Sequence, residues 1–198
     1  MMAEKFNYEA IGTAREVSFN KGEWLINIFN MPGGGGQYEF APAKDFFLIQ
    51  KMYHGNGTIA SRGKRLGNVP FGNWEYFDEN GNITKVVDED AKFGKIKPND
   101  LIRIMEEVGW INRKTGANIL SDTLLETDGN FYRTLFFLSN DRNMNVYFTP
   151  AQISEKNEEV QPPRWQFGYL NFSTYIYYEV DGNTGRYERF EEFRFFAE

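Results

Sequence analysis

The 198-residue chain contains no cysteine. That excludes disulfide frameworks, thiolate zinc sites and cysteine nucleophiles. Histidine is nearly absent as well, with His54 alone. A catalytic triad or a zinc site would therefore need all-oxygen or lysine-based variants, which leave no trace in a sequence. No apolar stretch is long enough to span a bilayer, and residues 1–10 lack the basic flank and apolar run of a leader peptide. The expectation is a cytoplasmic protein with no membrane partner. Positive charge is also scarce. Lys and Arg number 22 against 28 Asp and Glu, a net charge of −6. Phosphate backbones are bound by clustered cations, so nucleic acid is not an expected partner. An acidic excess serves solubility and suits a basic protein partner.

Aromatic residues are abundant: 17% of the chain, with 19 Phe, 11 Tyr and 4 Trp. Aromatics favour strands, fill cores and offer large contact areas at interfaces. The length fits one domain or two small ones packed together.

Residues 14–20 and 23–30 read as strands flanking a Lys21-Gly22 hairpin turn. The run Gly33 to Gly36 is expected to be a loop, because four glycines cost much entropy in a regular element. It is not expected to cradle phosphate, since Gln37-Tyr38-Glu39-Phe40 follows in place of Lys or Ser/Thr opening a helix. Residues 46–53 are apolar and fit helix or strand. Then a repeat emerges. Tyr53, Asn56, Gly57 and Ile59 recur 24 residues later as Phe77, Asn80, Gly81 and Ile83, with a fainter copy from Phe29 and Gly33. Each unit reads as an aromatic-rich strand, an Asn-Gly turn and a return strand. Hairpins of this kind bury a face only by stacking on neighbours or on another layer. Trp74, Phe77 and Ile83 are expected to pack on one sheet surface.

Asp88-Glu89-Asp90 ends the repeats. A helix follows: Pro98 suits its first position, Leu101, Ile104, Met105 and Val108 form its apolar stripe, and Gly109 with Trp110 suits its C-terminal cap. Residues 131–138 and 144–148 read as strands around a loop at 139–143. Residues 154–161 read as an exposed connection, and residues 165–180 hold one or two strands. Asp181-Gly182-Asn183-Thr184-Gly185 reads as a turn, and residues 187–196 as the last strand. The fold class is α+β, mostly antiparallel. Residues 1–90 form a β-hairpin repeat region; residues 91–198 form a helix plus antiparallel sheet, with one continuous domain as the alternative.

Chemistry is hard to place. His54 stands at the start of a predicted turn, where it reads as a surface residue rather than a catalyst. Asp88-Glu89-Asp90 and Asp78-Glu79-Asn80-Gly81 lack the alternating ligands and distal Glu of a calcium loop, and read as solvated turns. Asp181-Gly182-Asn183-Thr184-Gly185 works fully as a hairpin turn. No catalytic, cofactor or metal residues are assigned.

The segment Gly72-Asn73-Trp74-Glu75-Tyr76-Phe77-Asp78-Glu79-Asn80-Gly81-Asn82-Ile83 resembles the G-x-W-x-x-Y/F-x-x-N-G repeat of YwqK-type antitoxin proteins, related to MORN repeats. Gln50 stands at the tryptophan position of the earlier copy, a departure from that pattern. The segment Tyr177-Tyr178-Glu179-Val180-Asp181-Gly182-Asn183-Thr184-Gly185 is similar to the closing hairpin of PepSY-like domains. Together these resemblances imply a bacterial toxin-immunity protein that inhibits by binding. They carry no catalytic residues.

The expected function is therefore protein binding, with a basic bacterial toxin as the partner. A structural scaffold module is the alternative, and a carboxylate-based enzyme stays open. Contact candidates combine acids that steer a basic partner with aromatics that anchor it. They are Asp88, Glu89 and Asp90; Glu155, Glu158 and Glu159; and Glu188, Glu191 and Glu192, interleaved with Tyr187, Phe190 and Phe193. The competing account of the last set is an edge strand whose charges prevent aggregation.

Overall fold

A computed structural model describes residues 4–42, 45–114, 117–118, 144–171 and 173–193. The chain divides into two compact units: residues 1–65 with 70–89, and residues 66–69 with 90–198.

The first unit opens with a helical turn, α1 (Tyr8–Ile11), ahead of the first expected strand. The Asn7 side chain accepts from the Ala10 amide and caps it. Seven strands follow: β1 (Glu16–Lys21), β2 (Trp24–Met31), β3 (Gly34–Phe40), β4 (Leu48–Tyr53), β5 (Ile59–Leu66), β6 (Val69–Phe77) and β7 (Ile83–Asp88). They form one sheet in chain order. Sequential strands joined by short turns pair as neighbours, so the meander follows from the turn chemistry. Residues 46–53, which fit helix or strand, supply β4.

The 24-residue repeat is a repeat of backbone geometry. Tyr53 pairs with Ile59 and Phe77 with Ile83, and each pair lies beyond the same register shift. In one turn His54 N–H donates to Thr58 C=O and Gly57 N–H to His54 C=O. In the next, Asp78 N–H donates to Asn82 C=O and Gly81 N–H to Asp78 C=O. Gly57 and Gly81 have φ of 78° and 84°, and Gly33, a further 24 residues upstream, has 81°. That left-handed region carries no Cβ penalty for glycine.

The glycine run corrects the expected loop. Only Gly33 lies in the turn; Gly34, Gly35 and Gly36 begin β3. A Cβ on Gly36 would strike the Phe29 ring across the strand pair, and one on Gly34 would strike the Tyr53 carbonyl oxygen. A Cβ on Gly35 would lie 2.6 Å from the Phe6 ring. Packing of aromatics and backbone over bare glycine offsets the entropy that the sequence argument counted.

Trp74, Phe77 and Ile83 do not share one buried surface. Trp74 and Phe77 stand three residues apart on a strand, which points them to opposite faces. Trp74 is buried, donates its indole N–H to the Lys64 carbonyl at 3.1 Å and lies against Gly63. Phe77 packs on the other face, against the cluster of Phe6, Ile11, Ile26, Ile28, Tyr53 and Ile59. Ile83 is 55% exposed.

The second unit contains a 3-10 turn (Glu89–Lys92), α2 (Pro98–Glu107), β8 (Ile111–Asn112) and β9 (Ala117–Asn118). It continues with β10 (Met144–Thr149), β11 (Gln152–Ile153), β12 (Glu159–Gln161), β13 (Arg164–Asn171), β14 (Thr174–Asp181) and β15 (Tyr187–Phe193). Asp100 caps α2 by accepting from the Lys97 amide at 3.0 Å. Trp110 N–H returns to Met105 C=O at 2.8 Å past Gly109, whose φ is 76°. Leu101, Ile102 and Met105 are buried. The antiparallel sheet runs β10-β13-β14-β15. One face carries Val146, Trp165, Phe167 and Val180, all at most 1% exposed. Trp165 stacks on Phe93 and donates its indole N–H to the Ile96 carbonyl. The segment read as an exposed connection is a small ribbon of β11 and β12, with its strand residues exposed. The strand expected at 131–138, the loop at 139–143 and residues 194–196 lie outside the described residues. No described helix is long and apolar enough to cross a membrane.

Candidate functional site

The acid-aromatic sequence 187–193 forms β15, the last strand of the second unit's sheet. β14 fixes its register: Tyr187 opposite Val180, Glu188 opposite Glu179, Phe190 opposite Tyr177, and Phe193 opposite Thr174. Alternation then splits the six candidates between two faces. Tyr187, Glu191 and Phe193 share the face of Val180, while Glu188, Phe190 and Glu192 share the face of Tyr177. No single patch contains all six.

Aromatic stacking anchors the strand on both faces. On one, Trp110 stacks on Phe167 at 4.5 Å, Phe167 on Tyr178 at 5.0 Å, and Tyr187 meets Tyr178 edge-on at 6.3 Å. On the other, Phe190 stacks on Tyr177 at 5.1 Å and Tyr177 on Tyr175 at 5.4 Å. The Tyr177 hydroxyl donates to Glu192 at 2.9 Å. Glu191 pairs with Arg189 at 2.5 Å. Glu188, Glu191 and Glu192 stay exposed, and Phe193 is 64% exposed.

Where β14 turns into β15, a hollow of about 640 Å³ is lined by Arg164, Glu179, Asp181, Arg186, Tyr187 and Glu188, among others. The turn itself is built by Asp181. Its carboxylate accepts from the amides of Asn183 and Thr184, each at 2.8 Å. Burial alone raises the Asp181 pKa, but these bonds and the nearby Arg186 outweigh it and hold the carboxyl below its ordinary value. Glu159 reaches the same turn by accepting from the Asn183 side chain at 3.0 Å.

Sequence reasoning missed Glu179 and Arg164. Glu179 faces Glu188 directly across the strand pair. Like charges in that arrangement repel. Arg164 answers Glu179 at 3.7 Å. The signal depends on the register of two strands, which no local motif carries.

The other candidates lie elsewhere. Asp88 closes β7 and Glu89 ends the first unit, while Asp90 opens the second. The Asp90 carbonyl accepts from the Lys97 ammonium at 2.9 Å. Glu155 and Glu158 are exposed between β11 and β12. His54, in the first unit, meets the Phe77 carbonyl through Nε2 at 3.0 Å. A carbonyl only accepts, so that nitrogen carries the proton. Among the described residues, no three His, Asp or Glu side chains group to hold a metal ion.

Comparison with family models, with curated proteins and with solved structures returns no match to this chain. The likeness to YwqK-type and PepSY-like proteins rests on the motif residues alone.

Proposed function

We propose that this chain is a non-catalytic immunity protein that neutralises a basic bacterial toxin in the cytoplasm by direct binding. The observation that carries the proposal is the β15 edge. There Glu188 and Glu179 oppose each other on one face, and Tyr187 lines the same hollow from the start of the strand. The carboxylates attract a cationic partner and set the association rate, while the aromatics supply contact area. The net charge of −6 adds long-range attraction of the same sign. The resemblance of residues 72–83 to antitoxin repeats agrees with inhibition by binding.

The test is a pull-down from native lysate with mass spectrometry, followed by kinetics on the captured protein. The expected partner is a stoichiometric basic nuclease or cell-wall hydrolase whose activity the chain suppresses. Reversing Glu188, Glu191 and Glu192 to Lys should then slow association and remove its salt dependence. Unaltered kinetics in a folded variant would exclude this strand as the contact surface.

A scaffold module is the second reading. The three turns at a 24-residue spacing favour it, because hairpin arrays make extended platforms. Capture of several proteins without inhibition of any enzyme would support it over the first.

A further inference from the structure

We infer that β7 is a self-pairing edge, through which two copies of this chain associate antiparallel about a twofold axis. In the sheet of the first unit, the return strands β3 and β5 are each paired on both sides; β7 follows β6 at the end of the order. Its side chains show the difference. Ile83 is 55% and Val86 53% exposed, whereas Ile59, one repeat earlier, is 2% exposed. The repeat position of Val86 is filled in the earlier copy by Arg62, which pairs with Glu75 at 2.5 Å.

The register makes the two exposed residues neighbours. Ile83 opposes Phe77 and Val86 opposes Glu75. Phe77 and Glu75 are two apart, so the register shift between Tyr76 and Phe77 brings Ile83 and Val86 onto one face. Lys85 opposes Tyr76 on the other face, and its ammonium lies over the Tyr76 ring at 5.9 Å. Asp88 opposes Asn73 and so shares this face beyond Val86, at the end away from Ile83. β7 is also free of Pro and Gly, and three of its six residues are Ile or Val.

The occupant follows from charge and symmetry. Copies of a chain carrying −6 repel. A strand whose Lys85 and Asp88 cancel escapes that repulsion. β15 does not: one Arg against three Glu leaves it at −2. A twofold axis perpendicular to the sheet keeps faces matched and sets Ile83 and Val86 beside Val86 and Ile83 of the second copy. Such an isologous contact closes at two. β1 is also neutral, but β1-to-β7 pairing is head-to-tail and does not close at two.

Sedimentation of the full chain from about 1 µM to about 1 mM tests this. The mass is expected to rise from 23.1 kDa to twice that and stop. Val86→Lys and Ile83→Lys should each weaken the association about tenfold, because each substitution enters the twofold contact twice and removes two cross-strand pairs, with the monomer's melting temperature unchanged. Glu191→Lys on β15 should leave it as it was. Amides 83–88 should gain hydrogen-exchange protection with concentration even if one variant folds poorly. A monomer throughout, masses beyond the dimer, or a dimer indifferent to both β7 substitutions overturns the inference. None of these results bears on toxin binding at β15, which is read by its own kinetics.

Discussion

Ile59 and Ile83 hold the same place in consecutive copies of one 24-residue unit. Both follow a glycine at φ near 80°, both oppose an aromatic across a register shift, and both begin a return strand. Yet one is buried and the other more than half exposed. The difference lies in what each copy meets. Residues 4–6 run along the first of these turns: Ile59 N–H donates to Glu4 C=O, Phe6 N–H to Gly57 C=O, and Lys5 bridges Thr58. Phe6 then joins Ile59 in the core cluster. The turn at Asp78–Asn82 has no such strap among the described residues. A repeat therefore fixes turn and register locally, while burial depends on a segment some fifty residues away in sequence.

The two turns also differ in how they are stitched. In the earlier one the Asn56 side chain accepts from Thr58 N–H at 2.9 Å and donates to the Glu79 carbonyl at 2.9 Å. In the later one Asp78 does the work, accepting from the amides of Asn80 and Asn82. The same hairpin is closed by a neutral side chain in one copy and a carboxylate in the other.

Several substitutions separate the copies, the largest effect first. Trp74→Ala should cost about 3–5 kcal/mol, because it removes a buried ring lying on Gly63 and leaves a cavity; Gln50, at the equivalent position of the earlier copy, has no such ring to lose. Chemical denaturation checks this, and an unchanged midpoint would place Trp74 outside the core. Ile59→Ala should cost about 2–4 kcal/mol and Ile83→Ala less than about 0.5 kcal/mol. Equal losses in parallel unfolding curves would erase the contrast between the copies. Asn56→Ala should cost about 1 kcal/mol through its three side-chain hydrogen bonds, whereas Asn80→Ala should fall within error in the same assay.

The smallest effect is a pH dependence. Asn82, by its side chain first and then its backbone, holds the Asp78 carboxyl below its ordinary value. A depressed carboxylate stabilises the folded state fully above its unfolded pKa of about 4, and loses that contribution as pH falls through the lower folded value. The protection factor of the Asn82 amide should therefore fall in acid below about pH 4. Asp78→Asn should flatten that dependence, and the Asn56 turn should show none.

Several features were legible because they depend on short stretches of chain. Asn-Gly spacing placed the hairpins, and Pro98 with Gly109 bounded α2. The glycine run was misread because its partners, Phe6, Phe29 and Tyr53, lie outside it in the chain. Trp74 and Phe77 were placed together, although a strand sends residues three apart to opposite faces. The acids of β15 were visible in sequence, but Glu179 opposite Glu188 was not, since cross-strand partners come from a register set by the turn at Asp181.

By itself the sequence determined the antiparallel, mostly β class, the 24-residue unit and its turns, and the absence of any cysteine chemistry. These follow from backbone freedom at glycine, side-chain alternation and composition, all of which act over a few residues. Only the tertiary structure decided that three glycines belong in a strand, that Ile59 is core while Ile83 is surface, and that two glutamates face each other beside β15. Those outcomes turn on which distant side chains arrive within contact distance, and a one-residue change of register would reverse each of them.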